Sequence, residues 1–445
     1  MFVCHHWFEV ALGTPEVWSF WGDSPKDWAR WHRHSGTSPL DLVLGDVDYD
    51  DRILDIAVRD TLRDRAARDA IRRVHLWSRD AAFLGSIISP LAVAGQGVRS
   101  NGIESFILWN HDETPVDVSE FFAHYRFPKL QRLTLNRCSI TSWDLLTSRT
   151  TVLTSLTLLF IHPSPPPTMS QLLSILASNP SLRKISLPAY EILDDGSGES
   201  PCPVSLRHLK ELKLGGGMQH VIGLLRRLDH PTDVGLNITL RDHTAADIPR
   251  IVGPYLRDYL RRPDRSRNGL AVSASRLGGQ PALHVADVGE TDLSTLVWGQ
   301  TPLFVMIAME FDQAPQGLSE KWFLDLIPHI PRDEVVYFHS LADPAAIEDA
   351  FAQFPNLRAL HSNYVPLSDV FPESNLDGNK RFPPSLQHVI LELPDVDEVD
   401  WSPLTAFLAS RASSGNRLDS LTVVGSHMSP RVEGHVRNMV REFRG

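Results

Sequence analysis

Cysteine is scarce in this chain: three residues, Cys4, Cys138 and Cys202, stand far apart and without metal-ligand spacing. That excludes a disulfide framework and a thiolate zinc site, and it fits a reducing compartment. Long apolar runs are also missing. The longest uncharged stretch, Ala81 to Val98, is broken by Ser86, Ser89, Pro90, Gly95, Gln96 and Gly97, whereas a membrane span needs about 20 predominantly apolar residues. A short buried helix followed by a loop is expected there, and no membrane partner. Basic residues are outnumbered 43 to 54, and the net charge of -11 repels phosphate backbones overall, so no nucleic-acid partner is expected. Met1 to Val10 carries His5, His6 and Glu9 where a secretory leader needs a basic region and then an apolar run. The chain is expected inside the cell, in the cytoplasm or nucleus.

What the chain does have is a core-forming composition, 42% hydrophobic and 22% charged over 445 residues, and an internal repeat. Leu130, Leu133, Leu135 and Cys138 occupy every defined position of the leucine-rich-repeat core, L-x-x-L-x-L-x-x-N/C. The frame returns at Leu153/Leu156/Leu158, Leu182/Ile185/Leu187 and Leu209/Leu212/Leu214, and upstream at Ile71/Val74/Leu76 and Ile103/Phe106/Leu108. Downstream copies are Leu386/Val389/Leu391 and Leu418/Leu421/Val423, with a partial one at Leu357 and Leu360. The last apolar positions of the first six copies are 32, 27, 23, 29 and 27 residues apart, close to the 20 to 29 of such repeats.

The alternation inside each copy predicts a half-buried strand. Between copies, Met169, Leu172, Leu173 and Leu176 form a helical stripe ending before Asn179-Pro180, and Val221, Leu224, Leu225 and Leu228 form another closing near Pro231. One such unit cannot bury its apolar face alone, so neighbours must share a core. The fold class expected is α/β: a leucine-rich-repeat-like solenoid, or horseshoe, with parallel strands over 35–430. An ordinary α/β domain with leucine-bearing strands is the alternative. The frame is weakest over 241–316, where Ala271-Val272-Ser273 and Leu283-His284-Val285 flank Gly278-Gly279 and predict a hairpin. Residues 431–445 read as a terminal helix or tail.

Residues 1–34 differ. Val3, Trp7, Val10 and Ala11 share one helical face, Thr14-Pro15 has the form of an N-cap with a first-turn proline, and Ser24-Pro25-Lys26-Asp27 is a capping-box pattern before Trp28 and Trp31. The run Val3, Cys4, Trp7, Val10, Ala11, Leu12, Gly13, Thr14, Pro15 and Trp18 resembles the carboxy-terminal half of the F-box of fungal F-box proteins. In that family, stretches similar to Trp28-Ala29-Arg30-Trp31 and Ser38-Pro39-Leu40-Asp41-Leu42 follow, and then divergent leucine-rich repeats. The resemblance implies a non-catalytic substrate adaptor with a short helical F-box remnant. Val3, Cys4, Trp7, Val10, Leu12, Pro15 and Trp18 would contact a Skp1-type subunit of a cullin ubiquitin ligase, and the repeats would hold an unknown target protein. The family's first half, with its Leu-Pro and following helix, has no counterpart after Met1, so the block reads as amino-terminally truncated. The other readings are a binding scaffold without ligase coupling, with Trp7 and Trp18 capping the array, and an enzyme housed in the irregular middle.

If the frame holds, the residue after each last leucine points away from the core. That column reads Trp77, Trp109, Asn136, Leu159, Pro188 and Gly215. Trp77, Trp109, Asn136 and Leu159 are the candidate partner-binding residues, because aromatic and aliphatic side chains dominate interface hot spots; cover by the chain's own segments is the competing reading. Motifs for chemistry are absent: there is no phosphate loop, Gly-x-Ser-x-Gly elbow or His-Glu-x-x-His pair. Gly215-Gly216-Gly217 reads as a turn after a strand. His5-His6 and His32-x-His34 read as surface or core histidines, the arginines at 257, 261, 262, 265 and 267 interleaved with Asp258 and Asp264 as a solvated charged helix end, and the acidic run at 395–400 as a polar loop. No cofactor or metal is expected.

Overall fold

The computed structural model describes residues 10–21, 34–35, 38–45, 69–93, 99–100, 102–161, 166–188, 203–231, 233–241, 247–261, 270–277, 280–287, 303–309, 325–340, 353–363, 366–371, 382–393 and 399–445. The chain is mixed α/β and divides into two compact units, 1–216 with 223–231, and 217–222 with 232–445.

In the first unit each of the six copies of the leucine frame forms a strand, and two further strands precede them. In chain order they are β1 (Phe20–Trp21), β2 (Leu40–Leu44), β3 (Ile71–Ser78), β4 (Ser105–Asn110), β5 (Arg132–Asn136), β6 (Ser155–Leu159), β7 (Lys184–Leu187) and β8 (Glu211–Gly217). Each pairs in parallel with the next, so spatial order follows sequence order. Parallel neighbours require a crossover between them, and helices α1 (Ala81–Val93), α2 (Ser119–His124), α3 (Asp144–Arg149) and α4 (Met169–Ala177) supply it after β3 to β6. The register stacks like on like. Val74, Phe106, Leu133, Leu156, Ile185 and Leu212 form one rung, and Leu76 meets Leu108, Leu108 meets Leu135, Leu135 meets Leu158, and Leu187 meets Leu214. All are buried. This face looks onto the helices, as the stacking of Phe106 on Phe121 of α2 at 4.7 Å shows.

Local chemistry sets the ends. Asp80 accepts from the amides of Ala82 and Phe83 and opens α1, and Thr168 and Gln171 close a reciprocal capping box at α4. Short parallel ladders join the connecting segments away from the main sheet: Arg99–Ser100 with Tyr125–Arg126, Val116–Asp117 with Cys138–Ser139, and Val204–Ser205 with Leu228–Asp229. Asn110 ties three backbones together. Its Nδ2 donates to the carbonyls of Thr114 (2.7 Å) and Arg137 (3.0 Å), and its Oδ1 accepts from the Asp112 amide at 2.9 Å.

The second unit departs from simple succession. Its strands are β9 (Gly235–Arg241), β10 (Leu270–Leu277), β11 (Gln280–Asp287), β12 (Leu303–Met309), β13 (Val335–Ser340), β14 (Ala359–Asn363), β15 (His388–Glu392), β16 (Ser420–Val424) and β17 (Glu442–Arg444). β9 pairs in parallel with β12, β12 antiparallel with β11, β11 antiparallel with β10, and β10 in parallel with β13. From β13 to β17 the parallel, sequential pattern resumes. The hairpin expected around Gly278-Gly279 is therefore present, and it reverses the order of three strands. Arg411 on the helix Ser402–Ser413 staples the loop before β15, donating to the carbonyl of Leu386 at 2.7 Å while also reaching Asn416 at 2.9 Å.

Four expectations need correction. Of 1–34, the described residues are a helical stretch at Val10 to Leu12, a 3-10 turn at Pro15–Trp18, strand β1 joined to the sheet, and the helical His34. The Thr14 hydroxyl donates back to the Val10 carbonyl at 2.8 Å and does not cap the following turn. Gly215-Gly216-Gly217 continues β8, where Gly216 takes a φ of 146° that glycine tolerates. The helix Met218–Arg226 stops before Leu228, which is used in the side ladder, and 431–445 carries β17 after its helix.

Asn110→Ala removes both donors and leaves the Thr114 and Arg137 carbonyls without that partner. Each such hydrogen bond contributes about 0.5 to 1.5 kcal/mol, so urea unfolding should show a loss of at least ~1 kcal/mol; a loss under ~0.5 kcal/mol would remove the role assigned to Asn110.

Candidate functional site

The strand period of two turns the residues between the leucines to the face opposite the helices. Across the first unit they line up in three columns. The first is Asp41, Arg73, Ser105, Arg132, Ser155, Lys184 and Glu211, and the second is Val43, His75, Ile107, Thr134, Thr157, Ser186 and Lys213. The third is Trp77, Trp109, Asn136 and Leu159. The candidate residues are therefore neighbours on adjacent strands. Trp77 and Trp109 are 38% and 37% exposed, so both residues reach the surface. Trp77 lies so close over Gly45 that a side chain there would collide with the ring. Leu159 is half-buried.

Asn136 is the exception. It is 6% exposed, and its Nδ2 donates to the Asn110 carbonyl at 2.9 Å. It is a link between neighbouring strands, not a contact residue, because a buried amide must find hydrogen-bond partners. What replaces it at the edge is Arg137 and Phe160, which follow β5 and β6. Both have left-handed backbones, φ 50° and 45°, that cost a non-glycine residue about 1 to 2 kcal/mol. Phe160 is 49% exposed, and the Arg137 guanidinium lies 5.8 Å from its ring centre while donating to the carbonyls of His111 (3.0 Å) and Asp112 (3.1 Å). His111 in turn stacks beside Trp109 at 6.3 Å. The patch thus runs Trp77, Trp109, His111, Arg137, Phe160.

The first column is charged. Arg73 bonds Asp41 directly. Burial works against ionising Glu211, but Lys184 at 2.8 Å and Lys213 at 3.1 Å outweigh it and hold the carboxyl below its usual range. Half-burial, then the charges of Arg73 and Arg132, hold His75 below the usual imidazole range, so it is neutral at pH 7. Arg132 is exposed and has no carboxylate partner among the described residues. The motif search did not single out Arg73, Arg132, Arg137 or Phe160; the first two follow from the same frame that placed the tryptophans.

Among the other candidates, Val10 and Leu12 are exposed, at 43% and 38%, as are Val17 and Phe20 beside them. Pro15 and Trp18 are half-buried, and Trp18 Nε1 donates to the Ala11 carbonyl at 2.6 Å. Val3, Cys4 and Trp7 lie outside the described residues, as do the capping-box pattern at Ser24 and the arginines 262, 265 and 267.

The second unit holds a buried polar network. Tyr337 Oη lies 2.9 Å from His361 Nδ1, and His361 Nε2 lies 3.0 Å from a carboxylate oxygen of Glu392. Glu392 can only accept, which assigns the proton to Nε2 and leaves Nδ1 to accept from the tyrosine. His339 stands 4.6 Å from His361, ring to ring, on the neighbouring strand. Burial, then His361, push His339 down to about 3, and burial lowers His284. Burial also lowers His361 against the opposing pull of Glu392, and burial raises Tyr337. The sequence held a signal for this: Phe338-His339-Ser340 and Leu360-His361-Ser362 repeat the same apolar-His-Ser triplet.

No protein-family model matches the chain, and no curated protein matches it. Among solved structures, the leucine-rich repeat-containing protein LegL7 from Legionella pneumophila aligns with 89% of this chain and 90% of its own, at 11% identity and a TM-score of 0.19. No helix among the described residues is long and apolar enough to cross a membrane.

Adjacent side chains on opposite faces should separate in mutagenesis. Leu108→Ala should cost about 2 to 5 kcal/mol as a core truncation, and Trp109→Ala less than about half of that although tryptophan is larger; equal losses in urea unfolding would place Trp109 in the core. The histidines give a pH dependence. Their folded values lie below the unfolded 6.5, so the unfolded chain binds more protons once pH falls below about 6.5. Stability of this unit should therefore fall from pH 6.5 toward 5, above the range where carboxylates titrate. His339→Asn should flatten the slope by up to about 1.4 kcal/mol per pH unit, and an unchanged slope would show that His339 does not titrate on unfolding.

Proposed function

We propose that the chain is a binding protein made of leucine-rich-repeat-like coils, that the outward sheet face of its first unit holds a partner protein, and that its amino-terminal segment couples that partner to a Skp1-type subunit of a cullin ubiquitin ligase. It catalyses nothing itself. The observation that carries the binding reading is the pair Trp77 and Trp109, on adjacent strands and over a third exposed. Large aromatics of this kind, next to an arginine-backed Phe160, have the composition of interface hot spots. Stacked leucine rungs and the short side ladders support coils that share one core, as repeat arrays do. The ligase half of the proposal is supported by the F-box-like run from Val3 to Trp18 and by the exposure of Val10, Leu12, Val17 and Phe20.

A scaffold without ligase coupling is the second reading. It is favoured by the pairing of Phe20–Trp21 with Leu40–Leu44, which builds the amino-terminal segment into the sheet. Co-expression of the full chain with a Skp1-type subunit distinguishes the two. Ligase coupling predicts co-purification that drops at least about tenfold, or ~1.4 kcal/mol, in Val10→Asp with Leu12→Asp, and that Trp109→Ala leaves unchanged. Failure of the wild-type chain to retain the subunit would reject the adaptor and leave the scaffold.

A further inference from the structure

The charge of the outward face differs in sign from that of the chain. Side chains projecting from β2 to β8 include Arg73, Arg132, Lys184 and Lys213 against Asp41 and Glu211, in a chain whose net charge is -11. At the strand starts Arg72 and Glu104, 3.9 Å apart, offset one another. Arg73, Lys184 and Lys213 already have carboxylate neighbours. Arg132 does not. It is exposed, and its column neighbours Ser105 and Ser155 carry no charge.

Arg132 and Trp109 also stand at a defined separation. Ser105 is the partner of Arg132, and Trp109 is four residues further along the same strand. At ~3.3 Å per residue the two rows are about 13 Å apart along the strand direction. Two side chains of an extended peptide separated by four residues span the same distance and point to the same side. The same pair in a helix would be about 6 Å apart, at 1.5 Å per residue.

Resting on the protein-binding reading above, we propose that this face receives an extended acidic segment of the partner, with a carboxylate on Arg132 and an apolar side chain four residues along against Trp77 and Trp109. The carboxylate meets a guanidinium that can engage it in bidentate fashion. The indoles supply the apolar anchor, and the basic column steers acidic segments while rejecting basic ones.

The test uses the full chain and a fluorescein-labelled peptide, Glu-Ser-Glu-Ser-Glu-Ser-Glu-Ser-Phe-Ser-Leu, followed by anisotropy. A version with Lys in place of every Glu, a version with Ser in place of Phe and Leu, a single-stranded DNA oligonucleotide and anionic vesicles are the comparisons. The acidic peptide should bind saturably, with affinity falling as salt rises, and about tenfold or more tighter than the lysine and serine versions. Arg132→Glu should reverse the charge preference, and Trp109→Ala should weaken the acidic peptide about tenfold, with melting temperatures checked for both variants. Equal binding of the acidic and lysine peptides, binding by neither, no effect of Arg132→Glu in a folded chain, or tighter binding to DNA or vesicles would each overturn the proposal. If Trp109→Ala weakens both peptides while Arg132→Glu leaves the ratio of their affinities unchanged, the acidic preference fails while the binding face stands. The Skp1-type co-purification is unaffected by any of these results, so failure of the acidic-segment proposal and failure of ligase coupling remain separable.

Discussion

The constraint on which the rest depends is register. A strand has a period of two, so sliding one strand by a single residue against its neighbour would turn its leucines outward and its polar residues into the core. In the first unit, burying Leu76, Leu108, Leu135 and Leu158 fixes the pairing, and the pairing then fixes everything on the other face. The tryptophans are neighbours because the leucines before them are. The charged column forms for the same reason, since Arg73, Ser105, Arg132 and Ser155 each stand three residues before a leucine of the stack. The second unit obeys the rule through Phe338, Leu360, Val389 and Leu421, and the alternation that buries them places His339 beside His361.

Much of the fold was legible because leucine spacing states both the strand and its buried face. The helix Met169–Ala177 and the hairpin around Gly278-Gly279 were equally readable, the one from a stripe at three-and-four spacing, the other from two short strand-like runs about a glycine pair. Where sequence reasoning failed, the deciding interaction was not local. The side ladder that takes Leu228 out of the preceding helix is set by Val204, over twenty residues away. Asn136 looked like a member of an exposed column until the chain turned at Arg137 and brought the Asn110 carbonyl within reach. The histidine network is spread over four strands, and no window along the chain contains more than two of its members.

The strand order of the second unit has the same character. From β9 the chain reaches β10 by way of the helix Asp247–Leu260, and β11 and β12 then fill the places between them. Two of the resulting contacts, β10 with β11 and β11 with β12, are local hairpin-like pairings. The closure of β12 onto β9 joins residues some seventy positions apart. Contacts of that separation carry a larger loop-closure cost and form late in folding.

Phe160 shows how recognition and stability come apart at a single position. Its left-handed backbone suits glycine or asparagine better than a bulky ring, yet half of that ring faces solvent and is braced by Arg137. A library randomised at this codon and sorted for heat resistance would drift toward glycine. The same library sorted for ligand capture would hold on to an aromatic, and the disagreement between the two populations would measure what the molecule gives up in order to keep that ring in place.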